Sequence, residues 1–218
     1  MKVLITGAQG ALGQAVVKRF FEAGHQVTGT CSKASPTSDL PVRWIPVDLS
    51  NSNSVRNAFS ENSDFDILIH CAGGFRYALA DSFQDEDLDF LINVNLKSAF
   101  YLVREILPGM KKRNFGRILF VSSKSAQNPP GGLGLYAASK AGLNSLTLAL
   151  AEETKSFQIT VNAVLPTVID TPANRKDMPH AKFQDWVTSE QLAEILFMLT
   201  EPKGAPIHGA LLPVAGRV

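Results

Sequence analysis

The stretch Thr6-Gly7-Ala8-Gln9-Gly10-Ala11-Leu12-Gly13 decides how this chain folds. It joins Lys2–Thr6, an apolar run with the pattern of a buried strand, to an amphipathic helix predicted over residues 11–23. In such a unit the first glycine permits a tight turn, the second lets a pyrophosphate approach the backbone, and the third lets the helix pack closely on the sheet. The free N–H groups of the helix N-terminus attract phosphates. The stretch therefore predicts a dinucleotide-binding loop.

Strand-like and helical patterns alternate along the rest of the chain. Further strands are predicted at 26–31, 42–47, 65–71, 117–122, 160–165 and 210–214, and further helices at 54–61, 88–113 (one or two helices), 136–155 and 190–199. Strands this uniformly apolar suit a sheet covered on both faces, and the alternation gives parallel strands with right-handed crossovers. We expect one doubly wound, Rossmann-like α/β domain over 1–218, with about seven parallel strands and helices on both faces. The irregular stretches 32–41, 126–135 and 166–186 follow strand ends, where such folds build their sites.

Composition excludes several classes of protein. Of 218 residues, 45% are hydrophobic and 19% are charged, which suits a packed core and not a disordered chain. The net charge is +1 with no basic cluster, so nucleic acid is not expected as a partner. There is no bilayer-length apolar run and no secretory signal pattern, so we expect a cytoplasmic protein without membrane association. Cys31 and Cys71 are expected to be buried thiols, and no metal site is expected.

A second group of residues carries the chemistry. Tyr136 and Lys140 are four residues apart and share one face of the predicted helix. A lysine ammonium beside a phenol stabilises the phenolate, so we expect a lowered pKa for Tyr136 and proton exchange with a carbonyl or alcohol oxygen near neutral pH. Ser123, at the end of the fifth predicted strand, is placed to hydrogen-bond the same oxygen.

The end of the second predicted strand indicates the form of the cofactor. An Asp or Glu about 20 residues beyond the glycine loop holds the ribose 2′-OH of NAD in this class of fold. Here the chain has Ser32 and Lys33, and the next acid is Asp39. Because Ser32 and Lys33 can instead contact a 2′-phosphate, we expect NADP(H) in preference to NAD(H), with NAD(H) left open.

Together these motifs resemble the short-chain dehydrogenase/reductase family over nearly the whole chain. The resemblance rests on residues 6–13, Asp48, 71–74, Asn95, 122–123, Tyr136, Lys140, 162–166 and 170–172. It implies hydride transfer between a nicotinamide and a small carbonyl or alcohol substrate. By the same resemblance Asn95, Ser123, Tyr136 and Lys140 form a catalytic tetrad, in which Asn95 holds a water in a proton relay to Lys140. Lys140 would also bind the nicotinamide ribose.

The resemblance also implies a cofactor-binding set, with Asp48 and Leu49 at the adenine and Val168 near the carboxamide. The full set is Gly7, Gln9, Gly10, Ala11, Leu12, Gly13, Ser32, Lys33, Asp48, Leu49, Ala72, Gly73, Gly74, Asn95, Tyr136, Lys140, Pro166, Val168 and Thr171. The chain departs from the family pattern in two places. The loop lacks the commoner glycine at position 11, and Pro166-Thr167 replaces the usual Pro-Gly.

A narrower likeness is to the dihydropteridine reductase-like members, carried by residues 10–13, 72–74 and 165–179, with Phe183 and Trp186 beyond them. Against it, the acid expected for NADH is missing, and Asn95 and Ser123 are both present. Two alternatives stay open beside a general carbonyl reductase: a pterin reductase, and a regulator that binds NADP(H) without turnover. The intact Tyr136/Lys140 pair argues against the regulator.

The sequence also indicates a substrate loop, an assembly of several copies and a buried histidine. Residues 166–187 are expected to form a small substrate loop or lid, with Phe183 and Trp186 as candidate apolar covers. The family resemblance implies a homodimer or homotetramer formed through the helices at 96–113 and 136–155. His70 is expected to be a buried histidine at a strand end, without a metal or base role.

Overall fold

The computed structural model describes residues 1–32 and 40–218. Its helices are α1 (Ala11–Glu22), α2 (Ser52–Phe59), α3 (Asp85–Ile92), α4 (Ser98–Arg113), α5 (Gly134–Thr154), α6 (Pro172–Asp177) and α7 (Ser189–Thr200). Its strands are β1 (Lys2–Thr6), β2 (Gln26–Cys31), β3 (Arg43–Pro46), β4 (Ile67–His70), β5 (Gly116–Val121), β6 (Ile159–Pro166), β7 (Ile169–Asp170), β8 (Val187–Thr188) and β9 (Leu211–Val214). A π-helical turn, Asn93–Lys97, joins α3 to α4, and short 3₁₀ turns lie at Lys124–Ala126, Phe183–Asp185 and Pro202–Gly204.

Seven of these strands form one parallel sheet in the order β3-β2-β1-β4-β5-β6-β9. The chain starts in the middle with β1, builds outward to β3, and then continues from β4 on the other side. Loops at the carboxyl ends of β1 and β4 diverge at this reversal and open a crevice between them. The predicted doubly wound α/β sheet is confirmed.

The sheet is buried on both faces because successive side chains of a strand point to opposite sides. Leu4 and Leu68 point to the face covered by α2, α4 and α5, where Phe120 also lies. Val3 and Ile69 point to the face covered by α1 and α7. Two apolar cores therefore cover the two faces of the sheet, and they hold the carboxyl ends of the strands in place.

The stretch 166–186, expected to be irregular, contains short elements. Thr171 caps α6 by accepting from the Asn174 backbone N–H, and Pro172 occupies the first turn. β7 and β8 pair as a separate two-stranded sheet. Elements of two to six residues are too short to show a hydrophobic period, which is why the sequence did not reveal them. Of the helices in the described residues, none is long and apolar enough to cross a membrane.

Candidate active site

A cleft of about 780 Å³ opens at the carboxyl edge of the sheet, beside the ends of β1, β2 and β4. Eight residues of the expected cofactor set line it: Gly7, Gln9, Gly10, Ser32, Asp48, Leu49, Ala72 and Gly73. Cys31, Cys71, Phe90, Asn93 and Val94 complete much of the remaining wall. Lys33 lies outside the described residues, so its expected contact with a 2′-phosphate stays a prediction.

The glycine loop has the geometry that a pyrophosphate needs. Gly7 has a φ of +62°, and a Cβ there would lie 2.7 Å from the Ala72 backbone nitrogen. A Cβ on Gly13 would collide with the Gly7 carbonyl, so this glycine lets α1 pack against the loop. Gly10 is exposed, is the N-cap of α1, and has no side chain to cover the first N–H groups of the helix. Those groups are free to bind phosphate, so the loop fits a dinucleotide. Ala11 and Leu12 continue into α1, where Leu12 is buried in the core.

At the end of β2, the described wall of the cleft carries the hydroxyl of Ser32 where NAD-binding proteins have a carboxylate. β2 ends at Cys31, and Ser32 follows it with its side chain exposed. Asp48 is the only acid among the described lining residues, and one of its carboxylate oxygens accepts hydrogen bonds from the backbone N–H and hydroxyl of Ser50. This arrangement favours a 2′-phosphate over a free 2′-OH at the end of β2.

Asn95 occupies the centre of the π-helical turn and is completely buried. Its Oδ1 accepts from the Gly74 N–H at 2.8 Å, and its Nδ2 donates to the Gly74 carbonyl at 3.0 Å and to Ser139 Oγ at 3.0 Å. Ser139 Oγ in turn donates to the Tyr136 carbonyl at 2.7 Å. The side chain of Asn95 thus ties the loop after β4 to the first turn of α5, and π turns of this kind are frequent at functional sites. Sequence reasoning missed Ser139, because nothing in its spacing signals this bridge.

Lys140 lies one helical turn beyond Tyr136 and is almost fully buried. Its Nζ donates to the Val121 carbonyl at 2.9 Å, and burial lowers the pKa of the ammonium to about 8. A Cβ on Gly73 would lie 3.0 Å from Asn95 Oδ1 and 3.1 Å from Lys140 Nζ. Asn95 and Lys140 therefore meet at the Gly73 backbone, on the wall of the cleft.

The pKa of Tyr136 differs from the expectation. Burial raises the pKa of the phenol, and a hydrogen bond with Ser123 opposes that rise. The expected lowering by Lys140 is not found: its ammonium is engaged by the Val121 carbonyl. Ser123 itself is buried, and its Oγ lies 2.6 Å from Ser125 Oγ. The four expected catalytic residues are therefore brought together, with the phenol held in its protonated form.

The remaining expected residues, Pro166, Val168 and Thr171, are not among the residues that line this cleft. Pro166 ends β6 and is buried, while Val168 is half-buried in the link to β7. The Thr171 hydroxyl is used as the cap of α6. Thr167, which replaces the family's glycine, donates its hydroxyl to the Ala215 carbonyl at 2.8 Å. That bond fastens the C-terminal segment to the loop after β6.

Two aromatic side chains of the loop after β4, Phe75 and Tyr77, pack against Tyr136 and Gly132 respectively. The Phe75 ring meets the Tyr136 ring edge-on, with centroids 5.1 Å apart, and Phe75 is 55% exposed. Tyr77 packs over Gly132, which has a φ of +79° and no room for a side chain. Phe75 was not identified from the sequence, although its place directly after the glycines of the β4 loop is a usable signal. The exposed ring of Phe75 therefore forms an apolar surface beside the Tyr136 ring.

Contacts within residues 166–187, the stretch predicted to be a substrate loop or lid, join its two ends. Trp186 is buried and packs against Phe183, with ring centroids 5.0 Å apart. Arg175 forms two hydrogen bonds with the Asp170 carboxylate, at 2.6 and 2.7 Å, and its guanidinium lies over the Phe183 ring. The contact with Arg175 lowers the pKa of Asp170. Phe183 and Trp186 thus pack as a pair within this segment.

The chain belongs to the short-chain dehydrogenase family, whose model matches residues 1–182. It is 31% identical over 235 residues to the 3-oxoacyl-[acyl-carrier-protein] reductase FabG of Pseudomonas aeruginosa, covering 98% of this chain and 95% of that protein. It is 28% identical over 236 residues to the acetoacetyl-CoA reductase of Allochromatium vinosum, covering 98% and 96%. A solved short-chain dehydrogenase/reductase family protein superposes with a TM-score of 0.93 at 25% identity, covering 99% of this chain and 96% of that one.

These findings confirm the predicted reaction class: the chain is an NAD(P)H-dependent oxidoreductase of carbonyl compounds. They support the preference for NADP(H). They do not support the narrower likeness to dihydropteridine reductase, because the relatives are named as 3-oxoacyl and acetoacetyl-CoA reductases.

Proposed function

We propose that this enzyme uses NADPH to reduce the ketone of 3-oxoacyl thioesters, carried on coenzyme A or on a carrier protein. One observation supports the chemistry above all: Asn95, Ser123, Tyr136 and Lys140 converge beside the cleft, with Asn95 and Lys140 meeting at the Gly73 backbone. The substrate class follows from the named activities of the relatives, which align with nearly the whole chain.

The residues present fit the dinucleotide. The free backbone N–H groups at the start of α1 would hold the pyrophosphate, Ser32 the 2′-phosphate, and Lys140 the nicotinamide ribose. When bound, the cofactor supplies the hydride. The other expected contacts, including those of Pro166, Val168 and Thr171, belong to this proposal.

The state of Tyr136 suits reduction. A phenol with a raised pKa stays protonated at neutral pH, so it is a donor ready for the oxygen of the substrate. Ser123 shares a hydrogen bond with that phenol and would hold the same oxygen in place. Tyr136 thus acts as the general acid and Ser123 as the orienting group.

Lys140 then restores the proton. Its pKa of about 8 lies close to neutral pH, so the ammonium can give up and regain a proton during turnover. Asn95, held rigidly by Gly74 and Ser139, presents a fixed amide where a water would connect Lys140 to solvent. The tetrad would work as a relay that ends at the phenol.

The wider organisation is part of the same proposal. The chain would act as one domain with residues 166–187 as its substrate loop. It would form a homodimer or homotetramer through α4 and α5, on which Phe100 and Leu148 are 51% and 45% exposed. The cytoplasm stays its predicted compartment.

A substrate panel tests the proposal. NADPH consumption would be followed with acetoacetyl-CoA, longer 3-oxoacyl thioesters, simple ketones, aldehydes, quinones and quinonoid dihydropterin, and repeated with NADH. We expect the highest kcat/KM with a 3-oxoacyl thioester and NADPH. Turnover confined to dihydropterin would identify a pterin reductase instead. Tight NADPH binding with no turnover of any compound would identify a regulator.

A further inference from the structure

A chain of hydrogen bonds runs beneath the site through His70, which the mechanism above does not use. Thr6 Oγ1 lies 2.8 Å from His70 Nδ1, and His70 Nε2 lies 3.1 Å from Ser98 Oγ. The Ala72 N–H donates to Thr6 Oγ1 at 3.3 Å, and Ser98 Oγ donates to the Val94 carbonyl at 2.7 Å. Thr6, His70 and Ser98 are all completely buried.

The direction of every bond in this chain can be derived. Ser98 donates its only hydroxyl proton in the hydrogen bond to the Val94 carbonyl, so Ser98 Oγ must accept from His70. The imidazole therefore carries its proton on Nε2. Nδ1 is then an acceptor, and Thr6 Oγ1 donates a hydrogen bond to it while accepting one from the Ala72 N–H. Only a neutral ring can do this. Burial and the nearby charge of Lys140 keep the ring neutral by lowering its pKa to about 3.

The two ends of the chain are parts of the candidate site. Thr6 immediately precedes Gly7 of the phosphate loop, and Ala72 lines the cleft. At the other end, Val94 directly precedes Asn95 within the π turn. Ser98 bonds locally to the Val94 carbonyl, whereas the His70 ring bonds across elements, so this one ring joins β1 and β4 to the start of α4 and, through Ser98, to the π turn. The ring is therefore placed to hold the glycine loop and Asn95 in fixed relation.

We propose that His70 is a positioning residue for Asn95, acting through Ser98 and the Val94 carbonyl. Asn95 is then held from two sides: its own amide pairs with Gly74, and the backbone before it is fastened to β4 and β1. This inference rests on the proposed catalytic role of Asn95. The buried imidazole supplies what an apolar side chain cannot, namely one donor and one acceptor in a fixed line.

Ser98→Ala tests the proposal with the least disturbance, because it removes one hydroxyl and no carbon. Thr154→Val is a matched control: Thr154 is equally buried, and its hydroxyl also donates to the carbonyl four residues earlier, at 2.7 Å, but far from the site in α5. His70→Asn is the second variant, since its shorter amide reaches Thr6 but not Ser98.

Amide hydrogen exchange at Gly74 reads the position of Asn95 without any substrate, because that N–H donates to Asn95 Oδ1. We expect exchange at Gly74 to rise at least about tenfold in Ser98→Ala and His70→Asn, and to stay unchanged in Thr154→Val. Equal exchange in Ser98→Ala and Thr154→Val would overturn the proposal. This readout decides it even if the wild-type enzyme reduces none of the compounds tested, an outcome that would refute only the proposed function.

Kinetics with the preferred ketone supply the second readout. We expect kcat to fall at least about tenfold in Ser98→Ala, with the Kd of NADPH changed less than about threefold. Asn95→Ala combined with Ser98→Ala should lose no more than Asn95→Ala alone, because both act through one amide. Losses that multiply in the double variant would show that Ser98 affects turnover independently of Asn95, and would contradict the proposal.

Discussion

At the scale of single residues, the site depends on the absence of a side chain at Gly73. A methyl group there would press on both Asn95 Oδ1 and Lys140 Nζ. We expect Gly73→Ala to lower kcat about 10- to 100-fold, since the two relay groups must separate. Gly131→Ala is the control, because a Cβ at Gly131 meets nothing within 4 Å. Steady-state kinetics of the two variants would check this, and equal activities would show that the relay tolerates the displacement.

The buried ammonium of Lys140 makes a prediction about pH and stability. Its pKa falls from 10.5 to about 8 on folding, so between these values the unfolded chain binds a proton that the folded chain has released. Stability contributed by this group therefore rises as the pH increases from about 8 to 10.5, and below about 8 the charged lysine is a cost. In urea unfolding, the free energy of unfolding of the wild type should rise relative to that of Lys140→Met across this pH range. A constant difference would contradict the burial of the charge.

For single residues, the sequence predicts which side chains lie together in the site, but not their protonation. The spacing of Tyr136 and Lys140 predicted a shared helix face, and the structure places them one turn apart. The lowered pKa predicted for Tyr136 was wrong, because burial raises it and the Lys140 ammonium is engaged by the Val121 carbonyl. Such contacts join residues that are distant in sequence, and no local pattern records them.

At the scale of elements, two glycines at the junction of the glycine loop and α1 have different expected roles: Gly13 in stability and Gly10 in cofactor binding. Gly10 has an ordinary φ and room for a methyl group, whereas a Cβ on Gly13 collides with the loop backbone. We expect Gly10→Ala to keep the free energy of unfolding within about 1 kcal/mol and to raise the Kd of NADPH at least about tenfold. Gly13→Ala should instead lower the free energy of unfolding clearly. Unfolding curves and NADPH titration would check both, and unchanged binding in Gly10→Ala would place the pyrophosphate elsewhere.

The strands of the main sheet, α1 and α5 were predictable because each has a clear hydrophobic period or a long apolar run. The π turn was not predictable, because the pattern over 88–113 indicated one or two helices and did not mark where an irregular turn would divide them. Its central residue, Asn95, pairs through its amide with Gly74, 21 residues away in sequence, and no local pattern records that contact. The small β7–β8 sheet and α6 were not predicted, because these elements are too short to show a hydrophobic period.

At the scale of the whole molecule, the proposed assembly can be tested on its helices. Phe100 on α4 and Leu148 on α5 are large apolar side chains left exposed. We expect Phe100→Asp with Leu148→Asp to shift the enzyme to a smaller species in sedimentation, because burying two carboxylates in an interface is costly. Met198→Asp on α7, where Met198 is 44% exposed, is the control. An unchanged sedimentation coefficient in the double variant would move the interface away from α4 and α5.

The central claim for the molecule is that a protonated phenol beside the dinucleotide cleft delivers the proton to a ketone. A single-turnover measurement of NADPH absorbance, with acetoacetyl-CoA and excess enzyme, tests it most directly in the wild type and Tyr136→Phe. We predict rapid loss of the absorbance in the wild type, and a rate at least about 10³-fold lower in Tyr136→Phe with NADPH bound equally well. A Tyr136→Phe enzyme that consumes NADPH at the wild-type rate would contradict the account.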